Sequence, residues 1–174
     1  MYEQKAVPEN LKDLPFAEQF TLWSIRYWSE CFRRNFSPYD TLKEAYRRSK
    51  CSEGFLSLES FLSFVVAGHS RPVDIRCLCC EGISLDEWRI LQSLALAQAG
   101  NETEIAPLIS HFLEPATIRI CTSVIIGWAE ELRQSEFVIP LRQDILSSAR
   151  RNYAAADSGL HKHIVSGAHS TTLN

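Results

Sequence analysis

Three cysteines within four residues, Cys77, Cys79 and Cys80, form the one local grouping whose side chains could carry chemistry. Thiolates bind zinc and other soft metals, and they exchange with disulfides. A structural zinc site takes four ligands, usually from two spaced pairs, and here the second pair is missing. His69 and Cys51 are candidates to complete a site in space, but neither stands in a paired spacing. The redox reading places Cys79 or Cys80 a few residues ahead of a helix start, whose free N–H groups favour a thiolate. Arg76 adds positive charge there, while Glu81 and Asp86 oppose it. A bond between the neighbours Cys79 and Cys80 would be strained, so a mixed disulfide or a bridge to a distant thiol is the expected oxidised product. The plainer expectation is a local turn packed beneath the following helix. Cys77 and Cys80 would then act as small buried residues, one thiol (Cys79 or Cys80) would stay exposed, and no metal would be tightly held.

A second grouping is basic. Arg33 and Arg34 are followed by Lys43, Arg47, Arg48 and Lys50, with Phe36 and Tyr39 between them. Lys43, Arg47 and Lys50 share one helix face, which could grip phosphates. Asp40 and Glu44 lie on the same helix, and Glu44 can pair with Arg47 or Arg48, which makes an ordinary solvated face the competing reading. The remaining signals are thin. His161, His163 and His169 sit in the C-terminal tail, and His111 has only Glu114 nearby. No phosphate-cradling glycine loop, Gly-x-Ser-x-Gly elbow or His-Glu-x-x-His helix occurs. A catalytic site would have to be assembled by the fold.

The elements that must position these residues read as helices. Residues 16–34 form a first helix, with Pro15 at its start and Phe16, Phe20, Trp23 and Tyr27 beside Leu22, Ile25, Trp28 and Phe32. So wide a stripe belongs to a deeply buried helix. Its Trp23 and Trp28 are expected in the core, with Arg26 snorkelling or capping a carbonyl. Ser37-Pro38 opens a second helix to about Ser49, with Tyr39, Leu42 and Tyr46 inward. Ser57 suits the N-cap of a third, ending at Gly68. Ser84-Leu85-Asp86-Glu87 is a capping box, in which the serine oxygen takes a free N–H and the glutamate returns the bond. It starts a fourth helix carrying Leu85, Trp88, Leu91 and Leu94, which stops at Gly100. Asn101 caps a fifth to about Leu113, bent by Pro107. Glu114-Pro115 opens a sixth, in which Ile118, Cys121, Ile125, Trp128 and Leu132 recur along one side and Ile120 widens the stripe. Val73 to Leu78 is the only weak strand candidate. The expected fold is therefore all-α: a single compact domain of about six helices, the first and sixth central, with a flexible C-terminal tail. Its segments are an N-terminal extension (1–14), the helical domain (15–140), and a short helix with a disordered tail (141–174), the helix lying within 144–157.

Bulk properties narrow the role further. The 174 residues are enough to bury a core without staples. A net charge of −3 gives no general attraction to nucleic acid or acidic lipid. The charge is polarised: residues 1–50 hold nine Lys/Arg against seven Asp/Glu, and residues 51–143 hold six against twelve. Such asymmetry suits an oriented contact. Uncharged stretches such as Ile90–Asn101 fall well short of the ~20 apolar residues of a spanning helix. No apolar run follows the basic start, so no secretory signal is read. The expected location is cytoplasmic, with the six cysteines mostly reduced.

Trp23-x-x-Arg26-x-Trp28, Cys77-Leu78-Cys79-Cys80, Ser84-Leu85-Asp86-Glu87 and the run from Leu91 to Ala99 together resemble a group of small helical bacterial proteins over roughly residues 16–140. No activity is attached to that group, so the resemblance implies an all-helical cytosolic protein and no functional residue. The basic 33–50 segment and the histidine-bearing tail lie outside it. The functional expectation is a non-enzymatic, regulatory protein acting through protein contacts, with a protein partner or self-association and no membrane. Three alternatives stand beside it: a nucleic-acid-associated regulator using the 33–50 segment, a thiol- or zinc-responsive regulator using the 77–80 cluster, and an enzyme with a spatially assembled site.

Overall fold

Apolar stripes wide enough to bury a helix on several sides force the helices to pack around one another, and the described residues do so without a sheet. The computed structural model describes residue 8 and residues 10–148. Within it run α1 (Phe16–Arg33), α2 (Tyr39–Arg48), α3 (Gly54–Gly68), α4 (Leu85–Gln98), α5 (Ile105–Ile109) and α6 (Pro115–Gln134). Short 3-10 turns precede α1 and α5, and residues 143–148 are helical. The expected tail and its three histidines lie outside the described residues. No helix among the described residues is long and apolar enough to cross a membrane.

The centre is α4 with α6. Every residue of α4 from Asp86 to Leu96 is buried, because α6 and α5 cover one side and the segment 137–142 covers another. Two glutamine amides hold that segment as a sheet neighbour would. Gln92 donates to the Pro140 carbonyl and accepts from the Arg142 N–H; Gln98 donates to the Phe137 carbonyl and accepts from the Ile139 N–H. The core therefore takes in Ile145 and Leu146 at one end, as it does Leu14 at the other. Helix α1 packs on α3 and α4, with Leu22 and Ile25 sealed from solvent, so it flanks the centre where the sequence suggests it occupies it.

Helix α6 buries Cys121, Ile125, Trp128 and Leu132 as its rhythm predicts. It crosses α3 closely at Gly68, where a Cβ would meet the Thr117 side chain. Several local expectations are corrected. Helix α3 starts at Gly54 instead of after Ser57, because a turn at Cys51 feeds straight into it. The fifth helix is cut to Ile105–Ile109 by a preceding 3-10 turn and the missing N–H of Pro107. Phe16, Tyr39, Leu85 and Ile120 are exposed; the first three open their helices, ahead of the layer that covers the later turns. Val73 to Leu78 is irregular and unpaired as a strand.

Candidate functional site

The cysteine turn is fixed by two acidic residues at the start of α4 and one arginine from the middle of α1. Ser84 and Glu87 form the capping box in full. Glu87 does more than cap: its carboxylate accepts from the backbone N–H groups of Ser84 and Arg76 and from Nε and Nη2 of Arg26, at 2.7 and 2.9 Å. Both side chains of that ion pair are 0% exposed. Arg26 turns its remaining N–H groups on the loop, donating to the carbonyls of Cys80 (2.6 Å), Gly82 (2.8 Å) and, more loosely, Cys77 (3.5 Å). A guanidinium has five donors and a carboxylate about four acceptor sites, so both groups are saturated. Burying a charge is costly unless it is paired and bonded in this way.

Asp86, one residue earlier, secures the upstream half of the loop. It accepts from Arg71 at 2.7 and 2.8 Å, from Arg89 at 2.7 Å and from the Asp74 N–H at 2.9 Å. Burial pushes the Asp86 carboxyl upward, but Arg71, the Asp74 amide and Arg89 together outweigh it and hold the group below its ordinary value. The Ser84 hydroxyl donates to the Asp74 carbonyl, and Arg71 donates to the His111 carbonyl. Residues 71–82 thus form no helix or strand yet are pinned at six carbonyls or amides from one helix start and from Arg26.

On this frame the three sulfurs converge within 4.8 Å of one another. Cys77 and Cys80 are joined in a disulfide with a Cα–Cα distance of 5.3 Å, within the usual range. The Cys79 sulfur lies 3.0 Å from that of Cys77. The oxidised pair lies three residues apart: the strained Cys79–Cys80 bond is avoided as expected, but the partner is local where the sequence suggests a mixed disulfide or a distant thiol. Cys79 is the exposed free thiol, while Cys31, Cys51 and Cys121 are free and buried. Burial drives the Cys121 thiol up to about 12 and raises Cys51 as well, so neither is a nucleophile near neutrality.

The other sequence candidates stay apart from this cluster. Cys51 packs between α2 and α3, with its thiol toward the Glu131 carbonyl, and His69 contacts the Val66 carbonyl at the end of α3. Among the described residues, no fourth Cys, His, Asp or Glu joins the three sulfurs. The basic segment is largely paired within its own helices. Glu30 takes Arg33 and Arg34, and Glu44 takes Arg47 and Arg48, which pulls the Glu44 carboxyl down to about 2. Lys43 sits 5.0 Å over the Tyr39 ring. Lys50 adopts a left-handed backbone (φ 57°) at the end of α2.

An apolar groove of about 210 Å³ runs beside the loop, walled by Trp28, Phe32, Leu62, Val65, Val73 and Ile75. Trp28 and Phe32 stack at 5.3 Å, and Phe32 is 54% exposed. Arg26 is the residue whose importance the sequence understates. Its signal was a lone cation on the apolar stripe of Leu22, Ile25 and Trp28; it does not snorkel but caps carbonyls, the other role expected of it.

Comparison with known proteins adds no identity: no protein-family model, curated protein or solved structure matches this chain.

Proposed function

We propose that this chain is a thiol-responsive regulator in which Cys77 and Cys80 cycle between disulfide and dithiol, with Cys79 as the exposed point of exchange. The observation that carries the reading is the convergence of three sulfurs within 4.8 Å on an exposed turn whose carbonyls are clamped from beneath by Arg26. The co-reactant is a low-molecular-weight thiol of the glutathione class. Its thiolate attacks one sulfur of the bond, the other leaves as a thiolate, and a second external thiol resolves the mixed disulfide. Two electrons pass to the protein, and one external disulfide is released. Cys79, 3.0 Å from Cys77, is placed to enter the same exchange from within.

The test is a redox titration of the full chain in glutathione buffers, followed by acid quench, alkylation and mass spectrometry. A two-thiol step within about −300 to −180 mV supports the reading, because that span covers the potentials of cellular dithiol exchangers. Constant alkylation of all three cysteines across the range refutes it.

A second reading, a protein contact or self-association, rests on the stacked Trp28–Phe32 pair at the open groove and on Phe36, itself 61% exposed. Exposed aromatics beside an apolar groove are the usual anchors of an interface. Native mass spectrometry of wild type and Phe32→Glu over a range of concentrations tests self-association: a dimer lost in the variant supports it, and a monomer throughout removes that form. The nucleic-acid alternative draws on the cations that Glu30 and Glu44 already engage; binding that weakens steeply with salt is its signature.

A further inference from the structure

We propose that the reduced turn is a three-coordinate site for a thiophilic d10 cation, with Cu(I) the ion its donor set fits, and that closure of the Cys77–Cys80 bond expels it. The inference shares with the thiol-exchange reading the requirement that Cys77 and Cys80 can be reduced, and goes beyond it in assigning a ligand.

Geometry comes first. A metal with bonds to sulfur of about 2.3 Å, centred in a triangle of three thiolates, needs sulfurs about 4 Å apart. The three here already lie within 4.8 Å of one another, with Cys77 and Cys79 at 3.0 Å. Opening the disulfide and turning side chains about their Cα–Cβ bonds suffices, while the Cα atoms of Cys77 and Cys80, 5.3 Å apart, stay where they are.

Donor count and softness choose the ion. Thiolates select Cu(I) and Zn(II) over harder cations. Structural zinc takes four protein ligands, and among the described residues only three gather here. Three thiolates complete a trigonal Cu(I) ion. Cys79 is exposed and gives the ion a way in.

Preorganisation supports the site. Metal ligands work when an outer layer of hydrogen bonds holds them, and Arg26 holds the carbonyls of both Cys77 and Cys80. Three thiolates around a monovalent ion leave a net charge of −2 on the centre. Arg26 sits directly below, its charge already paired with Glu87, and Arg76 joins the loop from one side, paired with Asp74. Oxidation empties the site: the Cys77 and Cys80 thiolates each give up one electron to an external disulfide, which leaves as two thiolates that take protons from solvent. The new S–S bond removes two donors, and the cation departs as Cu(I) with its charge unchanged.

The experiment uses the full chain, reduced, freed of reductant under anaerobic conditions and checked by alkylation for three reactive thiols at the turn. Cu(I) is supplied from a chromophoric chelator in competition, with Zn(II) in a parallel arm. The expected result is one Cu(I) per chain and three sulfur neighbours by X-ray absorption. Affinity should fall at least about 10–100-fold in Cys79→Ser and in protein whose Cys77–Cys80 bond has been closed. Cys79 is exposed, and circular dichroism of its variant confirms folding. Unchanged affinity in Cys79→Ser or in the oxidised protein, or tight Zn(II) with four ligands and no preference for Cu(I), overturns the proposal. Absence of binding by protein with three verified thiols overturns the metal site alone. Failure to open the disulfide without unfolding overturns both this site and the exchange reading.

Discussion

Replacing Arg26 with Met should cost this domain about 3–5 kcal/mol, the range for removing one member of a buried ion pair. Both Arg26 and Glu87 are fully enclosed, so the substitution strands a carboxylate beneath the loop with only the Ser84 and Arg76 amides as partners. The carbonyls of Cys80 and Gly82 also lose their donor, which places the cost toward the upper part of that range. A domain of this kind is stable by about 5–15 kcal/mol, so the loss is a third or more of the whole. Replacing Glu87 with Met should cost a similar amount by stranding the guanidinium. The double variant Arg26→Met/Glu87→Met should cost less than the sum, with a coupling of about 2–3 kcal/mol, because no charge remains unpaired. Urea unfolding monitored by circular dichroism, in reductant so that the disulfide plays no part, gives all three values. A loss under about 1 kcal/mol for Arg26→Met, the scale of an exposed pair, or strict additivity in the double variant, would refute the reasoning.

Four further outcomes follow from the same geometry. Ser84→Ala should destabilise the domain by about 1–2 kcal/mol, since the hydroxyl both caps α4 and donates to the Asp74 carbonyl; an unchanged urea midpoint would mean the cap is dispensable. Asp86 is held below its ordinary 3.8, so the unfolded chain takes up its proton first and stability falls as pH drops from about 4 through the folded value; Asp86→Asn should flatten that part of the acid-unfolding curve. Gly68→Ala drives a methyl into the Thr117 side chain and should cost at least about 1–3 kcal/mol through overpacking of the α3–α6 crossing, read as a lowered melting temperature and partly relieved by Thr117→Ala. The triple reversal of Lys43 and Arg47 on α2 and of Lys50 just past its end to Glu should leave the fold intact, because all three are exposed and exposed positions tolerate exchange; an unchanged set of binding partners would make the face an ordinary solvated one.

What the sequence determined by itself was the part governed by short-range chemistry. Spacing placed α1, α4 and α6 correctly, because apolar periodicity is the direct cause of helix burial, and Ser84 with Glu87 announced a cap that needs nothing beyond four residues. The cysteine turn was legible as a candidate for the same reason: its three thiols are neighbours in the chain. Tertiary structure alone decided the rest. Arg26 and Glu87 stand sixty-one positions apart, and no local pattern links an arginine inside one helix to the glutamate of another helix's cap. Only packing makes that glutamate both a cap and a counter-ion. Arg26, from another helix, also holds the carbonyls of Cys77 and Cys80, the two residues whose sulfurs are joined. Likewise α4 became central because Gln92 and Gln98 bind a segment 39 to 50 residues ahead. Periodicity reports which face of a helix is apolar; it carries no record of which distant backbone will satisfy the polar groups buried beside it, and that pairing is what shaped the site.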